Sequence, residues 1–139
     1  MQKNKSYLVV LITSIFLLVS CTEKPKANVQ LDKNLTHPIA CMRLNNIAVE
    51  KEFLDTLNHL YTFDKNCSSV LHMSYKKNIV CNSSHNSVAK STGKFPKSFL
   101  KLELRKGLQM QYSYYIDLLD NVDRQDVREA FRRLSLDIL

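Results

Sequence analysis

The stretch FLKLELRKGLQMQYSYYID, residues 99–117, decides the fold. Apolar and polar residues alternate on both sides of Gly107, which is typical of two half-buried strands joined by a tight turn. A three-residue loop over 105–107 would pair Leu104 with Leu108, and it would put Gly107 where such a loop needs a left-handed residue. The sequence therefore predicts an antiparallel hairpin over 99–116. Its apolar face would consist of Leu100, Leu102, Leu104, Leu108, Met110, Tyr112, Tyr114 and Ile116.

One amphipathic helix is predicted before this hairpin in the chain, and a second one after it. Apolar residues recur at spacings of three and four from Val49 to Phe63. A second apolar stripe lies within 122–138, where Asn121 or Asp123 can cap the helix start, and it contains Val127, Ala130, Phe131, Leu134 and Ile138. Because residues 68–75 also alternate, we expect an α+β fold: a small antiparallel sheet of three to five strands, packed by helices at about 49–63 and 122–138.

The N-terminus has the pattern of a secretory signal. Lys3 and Lys5 precede an apolar run over 8–19, which is shorter than the roughly 20 residues that a membrane-spanning helix needs. The run ends in LVSC, residues 18–21, which resembles the lipobox of bacterial lipoproteins. The resemblance covers the first 21 residues and names a processing class, while the rest of the chain resembles no family.

The lipobox resemblance implies that Cys21 takes a diacylglycerol thioether, that the chain is cut before it, and that its new amine receives a fatty acid such as palmitate. Two or three acyl chains anchor a protein durably to a bilayer. Thr22, in the place where aspartate signals retention in the inner membrane, implies the outer membrane, facing the periplasm. We therefore divide the chain into a signal peptide (1–20), a lipidated tether (21–38) and one α+β domain (39–139).

The cysteines and charges fit an oxidising envelope compartment. Cleavage would leave 18 basic residues against 13 acidic ones, a formal charge of +5, with the basic residues concentrated between Lys65 and Lys106. Such a surface could face anionic lipid or an acidic partner, and nucleic acid is not expected there. Among Cys41, Cys67 and Cys81 one disulfide is expected, and all three pairings are possible. We prefer Cys67–Cys81, the pair closest along the chain, and we expect one of the three to be a free thiol unless it bridges to a partner.

No motif indicates catalysis or a cofactor. Cys67, His72, Cys81 and His85 could be drawn as a zinc site, but their spacings fit loosely and periplasmic thiols oxidise. The chain contains no G-x-S-x-G elbow of a serine hydrolase, and its two glycines, Gly93 and Gly107, are too few for a glycine-rich phosphate cradle. We therefore expect a protein that is not an enzyme and that holds no metal. Residues 82–97 are rich in Ser, Asn and Lys and are predicted to form a long mobile loop.

Two features are suited to partner binding. Arg124, Arg128 and Arg132 recur every four residues and form a basic stripe on the last helix. Among the tyrosines of the hairpin, Tyr115 alone falls on the outward face with the polar residues. These four residues are the predicted partner surface.

The expected function is that of an accessory lipoprotein, which supports assembly or localisation of a secretion, pilus or conjugation apparatus through a protein partner. An alternative is an immunity or exclusion lipoprotein that binds an incoming toxin or mating partner. A lesser alternative is lipid or small-molecule carriage, which requires a cavity between sheet and helices. The sequence does not identify the partner, the apparatus or toxin, or the oligomeric state.

Overall fold

The computed structural model describes residues 25–80 and 95–139. Within them, five strands form one sheet and two helices pack on one of its faces. In chain order the elements are β1 (Asn28–Leu31), β2 (Arg43–Asn45), α1 (Lys51–Leu60), β3 (Ser69–Lys76), β4 (Ser98–Lys106), β5 (Gln109–Leu118) and α2 (Arg124–Ile138). The strand order across the sheet is β1-β5-β4-β3-β2. The α+β class is thus confirmed.

The sheet is mixed, so the prediction of a purely antiparallel sheet is wrong. β2 pairs in parallel with β3, with Leu44 opposite Leu71, while the other strand pairs are antiparallel. Parallel neighbours need a long crossover connection, and α1 supplies it. Alternation shows which face a strand buries, but it carries no information about the direction of its neighbour.

The first strand lies inside the segment that the sequence assigned to the tether. β1 pairs with β5 at the edge of the sheet, with Val29 opposite Tyr114, and beyond it the Asp32 amide donates to the Gln111 carbonyl at 3.0 Å. A four-residue strand is too short to show a clear period. The part of the predicted tether before the first strand is therefore short, and the rest belongs to the folded domain.

The hairpin is present, but its predicted register is wrong. The turn consists of Gly107 and Leu108, with φ +59° at Gly107, and Lys106 pairs with Gln109. Tyr112 pairs with Leu104, and Met110 pairs with Arg105, so Gln111 is an extra residue that forms a β-bulge. The bulge shifts the phase of alternation, so Leu108 is 97% exposed and Met110 leaves the core face.

Two hydrogen bonds of Gln111 stabilise the bulge. Its side chain is buried, and its Oε1 accepts a hydrogen bond from Ser69 Oγ at 2.9 Å. Its backbone carbonyl accepts the hydrogen bond from the Asp32 amide. A strict alternation would instead have turned this amide side chain to solvent and brought Leu108 into the core.

The core lies between the sheet and the helices and is filled with side chains. The buried residues are Met42, Phe53, Leu57, Leu71, Met73, Leu100, Leu102, Leu104, Tyr112, Tyr114, Val122, Val127, Ala130, Phe131, Leu134 and Ile138. The predicted stripe of the last helix is confirmed, and Asp123 caps it by accepting from the Gln125 and Asp126 amides. This packing occupies the space that a carrier would need for a ligand.

The first helix is shorter than predicted. It ends at Leu60, and the following Tyr61 and Phe63 reach the core from an extended segment. Their rings meet Phe131 of α2 at centroid distances of 6.1 and 6.2 Å. Hydrophobic spacing alone continued the helix to residue 63 because these two rings fall on the same apolar stripe.

Candidate functional site

The cysteine pairing differs from the preferred prediction. Cys41 Sγ is bonded to Cys67 Sγ at 2.03 Å, and since a cysteine forms one disulfide, the Cys67–Cys81 pairing is wrong. The parallel register explains the bond: it aligns Arg43 with Val70, so the residues just before β2 and β3 lie side by side. Cys81 and the proposed lipidation site Cys21 lie outside the described residues.

The disulfide also removes the zinc hypothesis at Cys67, because its sulfur is not available as a thiolate ligand. His72 has a different partner: Asn45 Nδ2 lies 2.9 Å from its Nδ1. No cluster of three or more metal-ligating side chains occurs within residues 25–80 and 95–139.

The sheet has a second face, turned away from the helices, which we call the open face. Its residues alternate with core residues along each strand, and the partners across the strands fix their positions. They are Asn28 and Gln30 on β1, Arg43 and Asn45 on β2, Val70, His72, Ser74 and Lys76 on β3, Phe99, Lys101, Glu103 and Arg105 on β4, and Ser113, Tyr115 and Asp117 on β5.

An aromatic pair stands on the open face. The Phe99 and Tyr115 rings stack at a centroid distance of 5.7 Å, and both side chains are half-buried. A shallow concavity of about 490 Å³ surrounds them, and Lys101 and Met110 also line it. Tyr115 Oη donates to the Asp117 carboxylate at 2.7 Å, a bond that raises the pKa of the tyrosine. The prediction that Tyr115 faces outward is confirmed.

A row of charges runs along β4 beside this pair. Glu103 is 13% exposed and contacts Lys101 Nζ at 2.7 Å and Arg105 Nη2 at 2.5 Å. Burial alone would raise the pKa of the Glu103 carboxyl, but the hydrogen bonds from the two cations outweigh it and hold the pKa below its usual range. The open face as a whole carries four basic side chains against two acidic ones, so it has a net positive charge.

Replacing Glu103 should change how stability depends on pH. A carboxyl with a lowered folded-state pKa stabilises the fold above its ordinary pKa near 4.5, and this contribution disappears as pH falls through the folded-state value. E103Q should therefore be less stable than wild type at pH 7, and the difference should shrink in acid. Urea unfolding at pH 7 and pH 3 measures this, and K101M should move the loss to higher pH. A difference that is constant with pH would contradict the assignment.

The predicted arginine stripe lies on the other side of the molecule. Arg124, Arg128 and Arg132 are exposed on α2, in the helix layer, whereas Tyr115 is on the open face. The structure therefore does not bring the four predicted partner residues together. Arg124 and Arg128 instead line a groove between the two helices.

Sequence reasoning missed Phe99 and Lys101 as members of the site. Lys101 belongs to the polar set of the alternation that contains Tyr115, and Phe99 begins the predicted hairpin but was not assigned to either face. Polar residues on the outward face of a strand are usually just solvated, so Lys101 by itself did not indicate a site. The residue that could have indicated it is Phe99, an aromatic side chain at an outward position. The strand register brings that residue beside Tyr115.

Comparisons with known proteins give no relative. No family model matches the chain, and neither curated proteins nor solved structures show a significant match. Among the helices of residues 25–80 and 95–139, none has both the length and the apolar character to span a membrane.

Proposed function

We propose that this protein is a lipid-anchored, non-enzymatic accessory protein of the bacterial envelope, which supports assembly or localisation of a secretion, pilus or conjugation apparatus. It is held by acylated Cys21 on the periplasmic side of the outer membrane and binds a protein partner through the open face. The observation that carries the partner site is the Phe99–Tyr115 stack beside Lys101, on a sheet face that the helices do not cover.

The composition of the open face supports a protein partner. Aromatic residues, methionine and arginine are enriched at protein interfaces, and buried aromatic anchors contribute much of the binding energy. Phe99 and Tyr115 offer such an anchor, with Met110 beside them. Because the net charge of the face is positive, an acidic segment of the partner would associate faster and more selectively than a basic one.

The anchor would keep this face close to the bilayer. The first strand begins at Asn28, seven residues after Cys21, and seven residues span at most about 24 Å. A tether reaching to residue 38 would have allowed more than twice that distance. The partner must therefore meet the domain near the membrane surface. The Cys41–Cys67 disulfide is consistent with the oxidising periplasm.

Deletion and complementation test the proposal. Deletion should leave one envelope apparatus unassembled or misplaced, and wild-type protein should restore it. The double variant Y115A/K101E should not restore it, because it removes an aromatic anchor and reverses a cation of the open face. R132A, which truncates an exposed side chain in the helix layer, is the matched control and should restore assembly.

Three results would contradict the proposal. The first is normal assembly of every such apparatus in the deletion strain, and the second is full rescue by Y115A/K101E. The third is protection against a co-encoded toxin with all apparatuses intact, which would replace assembly with immunity as the function. C21A should release the protein from the membrane fraction, and retention of C21A there would contradict the lipid anchor.

A further inference from the structure

The two helices border a groove on their exposed side. Its volume is about 640 Å³, and Thr56 and Leu60 contribute to its lining. Thr56 is buried and donates its hydroxyl to the Glu52 carbonyl at 2.7 Å, so it presents little polar surface. Leu60 is 43% exposed, which leaves an apolar side chain accessible in the groove.

The walls of this groove carry opposite charges. Glu52 and Asp55 line it from α1, while Arg124 and Arg128 line it from α2. Glu52 lies 3.8 Å from Lys77, which is outside the groove lining. In the part of the chain that the structure describes, neither arginine forms an ion pair or a side-chain hydrogen bond. Both side chains are exposed to solvent.

We propose that this helix groove binds the same groove of a second copy of the chain, forming a two-fold symmetric dimer. In such an interface the same patch serves both partners, so the α1 wall of each copy faces the α2 wall of the other. The acidic wall then lies opposite arginines, and the arginine wall opposite acids, twice in each dimer. A partner with one dominant charge would match one wall and repel the other.

An apolar residue inside the groove supports an interface. A second helix pair laid against the groove would cover the exposed side chain of Leu60. The open face lies on the opposite side of the sheet, so the dimer leaves it accessible. The dimer proposal can therefore be tested independently of the proposed partner site.

Charge reversal in two complementary variants tests the dimer. Variant A is R124E/R128E, whose groove walls are both acidic, and variant B is E52R/D55R, whose walls are both basic. Full-length protein is expressed in cells with two different epitope tags, solubilised from membranes, and purified through one tag while the other is quantified. Wild-type copies should co-purify. Co-purification of A with A, and of B with B, should be at least tenfold lower, whereas A with B should co-purify at the wild-type level.

The mixed pair also controls for folding, because unfolded variants could not recover association. K65E/K106E, which reverses two exposed cations outside the groove, should pair like wild type. The proposal is overturned if wild-type copies do not co-purify, if A pairs with A as well as wild type does, or if A with B shows no recovery. Loss of the open-face phenotype alone would leave the dimer unaffected.

Discussion

Removing the Cys41–Cys67 disulfide is expected to lower the free energy of unfolding by about 3.5 kcal/mol, from the entropy of closing a loop with a sequence separation of 26. The bond joins the segment leading into β2 to the segment leading into β3. β2 is a three-residue strand at the edge of the sheet, so its own pairing contributes little. Without the bond, β2 and the crossover helix should detach more easily from β3.

The double variant C41A/C67A, unfolded in urea beside wild type, measures this loss. C81S is the matched control, because it removes a cysteine without touching the observed bond. Peptide mapping under non-reducing conditions should find Cys41 and Cys67 linked. If C41A/C67A unfolds at the wild-type urea concentration, or if mapping links Cys67 to Cys81, the Cys41–Cys67 pairing and its stabilising role are wrong.

Phe53→Ala is expected to cost about 3–5 kcal/mol, the usual range for truncating a buried phenylalanine. The Phe53 side chain is fully buried on α1, and its ring lies perpendicular to the Tyr75 ring of β3 at a centroid distance of 5.0 Å. Lys77 Nζ lies 4.8 Å from the ring centroid and adds a cation–π contact. Alanine would remove all three contributions and leave a cavity between helix and sheet.

A loss of this size is a large part of the 5–15 kcal/mol that typically stabilises a domain. F53L is the matched control: it keeps most of the buried volume and should cost well under half as much. Urea unfolding followed by circular dichroism measures both variants. A loss below about 1 kcal/mol for F53A would show that the ring does not fill the space between α1 and β3.

Periodic patterns predicted the elements that bury one face. The stripe on α2 and the alternation of β3 and β4 were correct, because burial of one side of a helix or strand requires those spacings. The capping of α2 by Asp123 was also among the predictions. A short side chain that can accept hydrogen bonds from backbone amides, placed just before an apolar stripe, indicates the start of a helix. Such features depend on residues close together in the chain.

Features that depend on distant contacts were not predicted. The parallel β2–β3 pairing arises from a crossover through α1, and it alone brings Cys41 beside Cys67. The bulge at Gln111 depends on Ser69, which lies 42 residues away. A register based on alternation therefore assigned Leu108 to the core, although this leucine is exposed at the turn.

The candidate site was predicted only in part. Tyr115 was assigned to the outward face from local alternation, and this was correct. Its stacking partner Phe99 comes from the neighbouring strand, at a pairing that the sequence-based register did not give. The arginine stripe was also located on α2, but the position of Arg124 and Arg128 opposite the acids of α1 follows from the packing of two helices.

Site-specific photocrosslinking in cells tests the open face as the partner surface most directly. A photoreactive phenylalanine analogue replaces Tyr115 or Ser74, which both line the open-face concavity, or Arg132 as a control on the helix layer. We expect one and the same envelope protein to be crosslinked from positions 115 and 74, to be absent from position 132, and to be lost when K101E is added. Crosslinks to that protein from position 132 alone, or none from the open face, would contradict the account.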